Sequence, residues 1–209
     1  MITPANHTHQ TYLLDGRVVP SVTQVLSIIA KPSLVKWANR MGLQGIDTYE
    51  LTSESTAVGT IFHAQIQAFL TQEEISLQGF SDKLASRAKE LFQQWLRWNE
   101  ESGLSYIFVE ESFVSKRGYG GTIDALAYDD EVVLLDWKTS NFIAPEYYLQ
   151  LAAYWKLVEE NTNYEISYAE VVRFYEKGFE VGILKKEDVD KKYDVFLKAL
   201  DLYNALVGT

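Results

Sequence analysis

"GTIDALAYDDEVVLLDWKTS", residues 121–140, is the stretch whose reading decides the fold. Val132 to Leu135 is as apolar as a buried strand, yet the run ends in Asp136, Trp137 and Lys138. Side chains alternate along a strand, so Asp136 and Lys138 share a face roughly 6.5–7 Å apart along the backbone, and Trp137 points the other way into packing. That spacing carries little by itself. Asp190 and Lys192 repeat it on a charged helix, and an ion pair where a strand leaves a sheet is an ordinary surface feature. The preceding strand changes the weighing, because Asp124 interrupts the apolar run "GGTIDALAY" (120–128) after a pair of glycines. Two adjacent strands each give up an apolar position to an acid. Like charges at that range repel unless something neutralises them. Mg²⁺ or Mn²⁺ is suited to do so, since hard cations prefer carboxylate oxygens. Lys138 adds a second cationic group fit for a phosphate or a water. The strand end is therefore predicted to be a metal-and-lysine site for phosphate chemistry.

Working outward, the flanking pattern predicts an α/β chain. "TYLLDGRVVP" (11–20) reads as a hairpin turning at Asp15-Gly16. Ser21 and Gln24 form a capping box for a helix that continues to about Ile29. A second short helix carries Leu34, Trp37, Ala38 and Met41 on one side, Lys36 and Arg40 on another, and stops at Gly42. Residues 43–55 are polar and are expected to be loop. Helices are predicted from about Thr56 to Leu70 and from Leu84 to Trp98, on apolar residues at helical spacing. Then the period changes to that of strands: 104–115, 118–128 and 131–138. A helix opening at Pro145, a hairpin turning at Lys177-Gly178 and a final helix from about Glu187 to Leu206 complete the chain. The expected architecture is one α/β domain over 1–209, a mixed β-sheet flanked by helices. Residues 1–100 form its mainly helical part, and 101–209 hold the sheet core and the C-terminal helix.

Composition narrows the function classes. The 209 residues are enough for a sizeable core, and the net charge is −10, with 29 acidic against 19 basic side chains. Such a chain adheres weakly to duplex DNA, so any phosphate contact must be local. There is no cysteine, which excludes disulfides, thiolate zinc sites and iron–sulfur clusters. The first ten residues hold no apolar signal-peptide core, and no apolar run approaches membrane-spanning length. The expectation is a cytoplasmic or intracellular protein, with no membrane association.

Several further residues bear on the site. Gln150 and Tyr154 lie four apart on the helix after Lys138 and alone would be a polar helix edge. Of Glu110 and Glu111, one is expected to face the site and the other solvent. His63 lies beside its helix's apolar stripe, where a lone histidine is more often structural than a ligand. Taken in order, the pieces Gly59-Thr60-Ile61-Phe62-His63, Glu111, Gly121-Thr122-Ile123-Asp124, Asp136-Trp137-Lys138-Thr139-Ser140 and Gln150-Leu151-Ala152-Ala153-Tyr154 resemble the PD-(D/E)XK nuclease superfamily, in its RecB-like exonuclease branch. The N-terminal "VPSVTQVL" and "KPSLVKWANRMG" are similar to members near the mitochondrial genome maintenance exonuclease and its phage relatives.

The resemblance implies a restriction-endonuclease-like core and a metal-dependent DNA exonuclease, acting on single-stranded DNA or DNA ends. It implies metal ligation (Mg²⁺ or Mn²⁺) by His63, Asp124 and Asp136 with the Trp137 carbonyl, and a Lys138 that orients the attacking water or stabilises the transition-state phosphate. Glu111 takes the acidic position, because Glu111-Ser112-Phe113-Val114 matches the family's Glu-Ser-x-Val run. Gln150 and Tyr154 brace the site and touch the DNA backbone, with Thr139 and Ser140 beside them; Lys36 and Arg40 are added as candidate DNA contacts. DNA is the implied partner, alongside replication or recombination proteins, in a bacterial or phage setting. Two alternatives stay open: a structure- or sequence-specific endonuclease on the same core, and a non-catalytic DNA-binding subunit.

Overall fold

The computed structural model describes residues 1–4, 10–29 and 31–207. The three central strands follow the predicted pattern closely: β3 (Ser105–Ser115), β4 (Tyr119–Asp129) and β5 (Glu131–Lys138). They form an antiparallel meander. The chain then crosses through α5 (Pro145–Asn161) and returns as β6 (Tyr168–Tyr175), which pairs parallel to β5. β7 (Gly178–Lys185) closes antiparallel on β6, and α6 (Lys186–Leu206) follows. The result is a five-stranded mixed sheet in chain order β3-β4-β5-β6-β7, the α/β architecture expected.

Alternation along these strands builds a core on each face. One holds Leu126, Leu134, Ala169 and Val171 against α5, α6 and the short α1 (Val22–Leu26). The other holds Ala127, Val133, Leu135 and Trp137 against α3 (Thr48–Thr71) and α4 (Asp82–Ser102). Trp137 is fully buried there, edge-on to Trp95 and Trp98, as its strand parity requires. With neither face left to water, Asp136 sits on an interior position at 0% exposure.

The N-terminal part departs from expectation in three places. α1 is only five residues long, although its Ser21–Gln24 capping box forms as read. Its Val22 and Val25 are buried in the α5–α6 core. α2 runs Pro32–Leu43, through Gly42, and the left-handed residue beyond it is Gly45. The expected loop over 43–55 is helical from Thr48 onward. Asp47 caps that helix, its carboxylate accepting from the Tyr49 and Glu50 amides. Most of that first stretch faces solvent, so its polar sequence reflects an exposed helix surface rather than a loop. The hairpin β1 (Tyr12–Leu14) with β2 (Arg17–Val19) turns at Asp15-Gly16 as expected, both residues at positive φ.

Candidate metal and phosphate site

The site forms where β4 parts from β5. Their pairing runs from Asp129–Glu131 to Ala125–Leu135. At the next step the Asp124 carboxylate replaces the ladder: its Oδ2 accepts the Trp137 N–H at 2.6 Å. The alternation of β4 slips at the same point. Ile123 and Leu126 pack on the α5 face, whereas Ala125 packs on the other. On β3, Glu110 stands between the pairs Val109–Ala125 and Glu111–Ile123, at positive φ (52°). A non-glycine residue there is uncommon, and such strain gathers at functional sites.

That backbone turn decides which glutamate meets the site. Glu110 Oε1 lies 3.6 Å from His63 Nδ1, and Asp124 Oδ1 lies 3.6 Å from the same nitrogen. Glu111, the residue expected at the acidic position, is exposed on β3. The register of the β3–β4 pair is irregular between Tyr106 and Phe108, and Glu110 is left-handed, so Glu110 faces the cluster in its place. His63, Glu110 and Asp124 each offer a ligand atom, all within 4.8 Å of one another. His63 is aimed from α3, its ring edge-on to the buried Phe62.

Asp136 and Lys138 do share a face, and they are paired. Lys138 Nζ donates to Asp136 Oδ1 at 2.7 Å and stands 2.6 Å from Oδ2. Only the first contact has hydrogen-bond geometry, so Oδ2 is buried without a directed donor. Gln150 Nε2 donates to the same Oδ1 at 3.0 Å and lies 3.1 Å from the Tyr154 hydroxyl. Gln150 and Tyr154 are 6% and 5% exposed, so they form the inner support of Asp136 rather than a helix edge. The glycine pair before Asp124 makes room on both faces. A Cβ on Gly121 would sit 2.6 Å from the Tyr154 ring, and one on Gly120 would sit 2.4 Å from the Tyr12 ring.

The remaining candidates lie around the exit. Gly59 of α3 passes close to Thr139, whose Oγ1 is 3.3 Å from where a Cβ would stand. Ser140 Oγ donates to the Phe142 carbonyl, and the Ser140 carbonyl accepts Arg173 Nε at 2.7 Å. Sequence reasoning missed Arg173. Its signal is its register beside Lys138 on β6, which becomes visible only once the parallel pairing is known. Lys36 and Arg40 are exposed on α2, away from this cluster's contacts.

The electrostatics reflect crowded charge. Burial alone would lower His63, but Asp124 and Glu110 outweigh it and raise it to about 9. Burial raises Asp124, with His63 and Lys138 opposing and Asp136 and Glu110 adding. Lys138 is raised as well: its burial is overcome by Asp136 and Asp124. A hard divalent cation fits this donor set. Three ligand atoms converge, two of them carboxylate oxygens, and the neighbouring Asp136 Oδ2 is short of a donor.

A family model for the PD-(D/E)XK nuclease superfamily matches residues 35–200. No curated protein matches the sequence significantly. Among solved structures, the fold is similar to the protein SSO0001 (12% identity, TM-score 0.45, 93% of this chain and 81% of that one). It is also similar to a provisionally named exonuclease from Eubacterium rectale (14%, TM-score 0.49, 74% and 69%). A third is an alkaline exonuclease from Laribacter hongkongensis (13%, TM-score 0.39, 69% and 79%).

Proposed function

The chain belongs to the PD-(D/E)XK nuclease superfamily, and from that premise we propose that it is a divalent-metal-dependent DNA exonuclease acting on single strands or DNA ends. The observation that carries the reading is the juxtaposition at the β4–β5 fork: a His63–Glu110–Asp124 group beside a buried Asp136 that is tied to Lys138. A structural ion pair alone needs no third carboxylate and no histidine within 4.8 Å of two acids.

In this reading His63, Glu110, Asp124, Asp136 and the Trp137 carbonyl would hold the cation, Mg²⁺ or Mn²⁺. When bound, the cation makes water a better nucleophile and offsets charge on the scissile phosphate. Lys138 directs its ammonium at the phosphate, and its raised affinity for the proton keeps it charged through neutral pH. Gln150 holds Asp136 Oδ1, and Tyr154 backs Gln150, so the carboxylate keeps one orientation. Thr139 and Ser140 line the exit for the DNA backbone.

The preference for a strand end draws support from α2. Its leading Lys31 pairs with Glu146 in the first turn of α5, and its other end leads into α3. α5 and α3 are the elements that flank Lys138 and Thr139, through Tyr147 and Gly59. In this reading a helix tied to both elements serves as the roof under which a strand is threaded. Lys36 and Arg40 on its exposed surface supply cations to phosphates in an otherwise acidic chain. The test compares linear single strands, covalently closed single-stranded circles and blunt duplex with Mg²⁺ and pure protein. Degradation of the linear strand alone is expected. Rapid cutting of closed circles would replace this reading with an endonuclease, and loss of all cleavage with retained binding would leave a DNA-binding subunit.

A further inference from the structure

Beside the cluster lies a cavity of about 710 Å³ that no role above uses. Glu110 and Tyr154 are among its lining residues, so it borders the candidate metal site. From there it runs between β4, at Gly121 and Thr122, and the N-terminal hairpin, at Tyr12 and Val19, with Gln67 of α3 along its side. Its volume falls within the roughly 300–1,000 Å³ of sites that bury a small organic ligand.

The chemistry of the lining is selective. Among the described residues no lysine or arginine side chain lines it. Phosphate sites rely on such cations or on clustered backbone N–H groups. Apart from the Glu110 carboxylate at the metal site and the Met1 ammonium, which pairs with Glu73, its polar side chains are neutral amides and hydroxyls, most of which both donate and accept. They are organised around Thr122, whose Oγ1 lies 2.8 Å from the Tyr12 hydroxyl, 2.7 Å from Ser112 Oγ and 3.2 Å from Gln10 Oε1. Tyr12 is fixed in turn by packing closely against Gly120, and the Gly120 N–H bonds to the Pro20 carbonyl at 3.0 Å. The wall is therefore preset rather than assembled by a ligand. Gln67 makes no side-chain hydrogen bond among the described residues, leaving its amide with both a donor and an acceptor unspent.

A mixed donor–acceptor amide is what the edge of a nucleobase pairs with, and a lining of amides and hydroxyls without lysine or arginine, next to a phosphate-reactive centre, suits the uncharged part of a nucleotide. We infer that this cavity is a nucleoside subsite, which takes the base and sugar of the nucleotide next to the scissile phosphate, with Gln67 and Gln10 hydrogen-bonding the base. The assignment rests on the nuclease reading and adds what that reading lacks: the substrate is held by its base as well as by its backbone.

The test uses the full chain with Ca²⁺ and compares binding of each of the four deoxynucleoside monophosphates with binding of deoxyribose 5-phosphate. The wild-type protein is expected to bind at least one deoxynucleoside monophosphate about tenfold or more tightly than the sugar phosphate. Gln67→Leu should weaken nucleotide binding roughly 3–10-fold, the loss of one hydrogen bond, and leave deoxyribose 5-phosphate unaffected. Gln67→Asn, which keeps the amide on a shorter stem, should lie between. In cleavage, Gln67→Leu should raise KM on a linear strand more than it lowers kcat, and a strand abasic at the terminal position should erase the difference between variant and wild type. Equal wild-type affinity for nucleotide and sugar phosphate, or variants indistinguishable from wild type, would overturn the subsite. A protein that cuts DNA but ignores base removal refutes the subsite alone. One that discriminates nucleotides yet cuts no DNA keeps the subsite and refutes the nuclease reading.

Discussion

Gly121→Ala adds one methyl group at the place where the fold has least room for it. The new Cβ would stand 2.6 Å from Tyr154 Cε1, 3.1 Å from Tyr154 Cδ1 and 3.1 Å from Leu157 Cδ1. Carbon atoms in contact prefer about 3.5–4.0 Å, so the Tyr154 ring must retreat by about 1 Å. It has nowhere easy to go: Tyr154 is 5% exposed and Leu157 fully buried. Overpacking of this kind costs about 1–3 kcal/mol. In a chain of this length each kcal/mol lowers Tm by about 2–4 °C, so a fall of roughly 2–12 °C is expected. Activity should fall further than stability. The Tyr154 hydroxyl is 3.1 Å from Gln150 Nε2, and a 1 Å shift carries it out of hydrogen-bond range, freeing the amide that holds Asp136. Urea unfolding measures the first effect, and cleavage of a linear strand well below Tm measures the second. Tyr154→Leu removes the ring that the methyl strikes. The Gly121→Ala/Tyr154→Leu double variant should therefore be more stable than the two single losses predict, by about 1 kcal/mol or more. Gly42→Ala is the control: its Cβ meets nothing within 4 Å, and a helical alanine gains up to about 1 kcal/mol. Additive losses in the double variant, or an unchanged Tm in Gly121→Ala, would refute the close-packing argument.

Lys138→Met strands Asp136, which is 0% exposed, and should cost about 3–5 kcal/mol; adding Asp136→Asn should recover much of that loss in urea unfolding, and cleavage should be absent in both. In the metal-free protein His63 and Asp124 both hold their protons to higher pH than in the unfolded chain, so the folded state binds more protons and stability falls as pH rises from about 4 to about 9. Mn²⁺ replaces those protons, so its stabilising effect should grow over the same range, with proton release detectable on titration in weak buffer; equal Mn²⁺ stabilisation at pH 6 and pH 9 contradicts the assigned cluster. Lys36→Ala/Arg40→Ala should weaken single-strand binding and flatten its salt dependence by up to about 1.4 in log–log slope while leaving Tm within about 2 °C; an unchanged slope removes α2 from the DNA path.

The sheet was legible because its chemistry is repetitive. Apolar runs over 105–138 with turns at fixed places give strands, and an acid inside each of two such runs marks the site. What escaped depended on information that no local window holds. The polar stretch 48–55 reads as loop because the signal for a helix is an apolar stripe, and this end of α3 buries little. Glu110 could not be told from Glu111 because side-chain parity assumes a regular strand, and here the backbone turns left-handed at Glu110. Arg173 emerged only from the parallel register with Lys138. The glycine pair was visible as a pattern, but its reason, two tyrosines pressed against opposite faces of one strand, is a tertiary fact.

The way the sheet is joined has a consequence for how the chain reaches its native state. Two antiparallel blocks, β3–β4–β5 and β6–β7, meet along one parallel seam. Within the blocks neighbouring strands are linked by short turns, whereas the seam brings together residues such as Val133 and Tyr168, 35 positions apart, and must wait for α5 to fold back. Short closures form sooner than long ones. The early meander therefore gathers Glu110, Asp124 and Asp136 before α5 delivers Gln150 to share the load. Lys138 arrives with Asp136 on β5 and pairs with it, so the repulsion left on the way in is that of Glu110 and Asp124, and Asp124→Asn should refold faster than wild type above neutral pH, at the expense of the very cluster that makes the site.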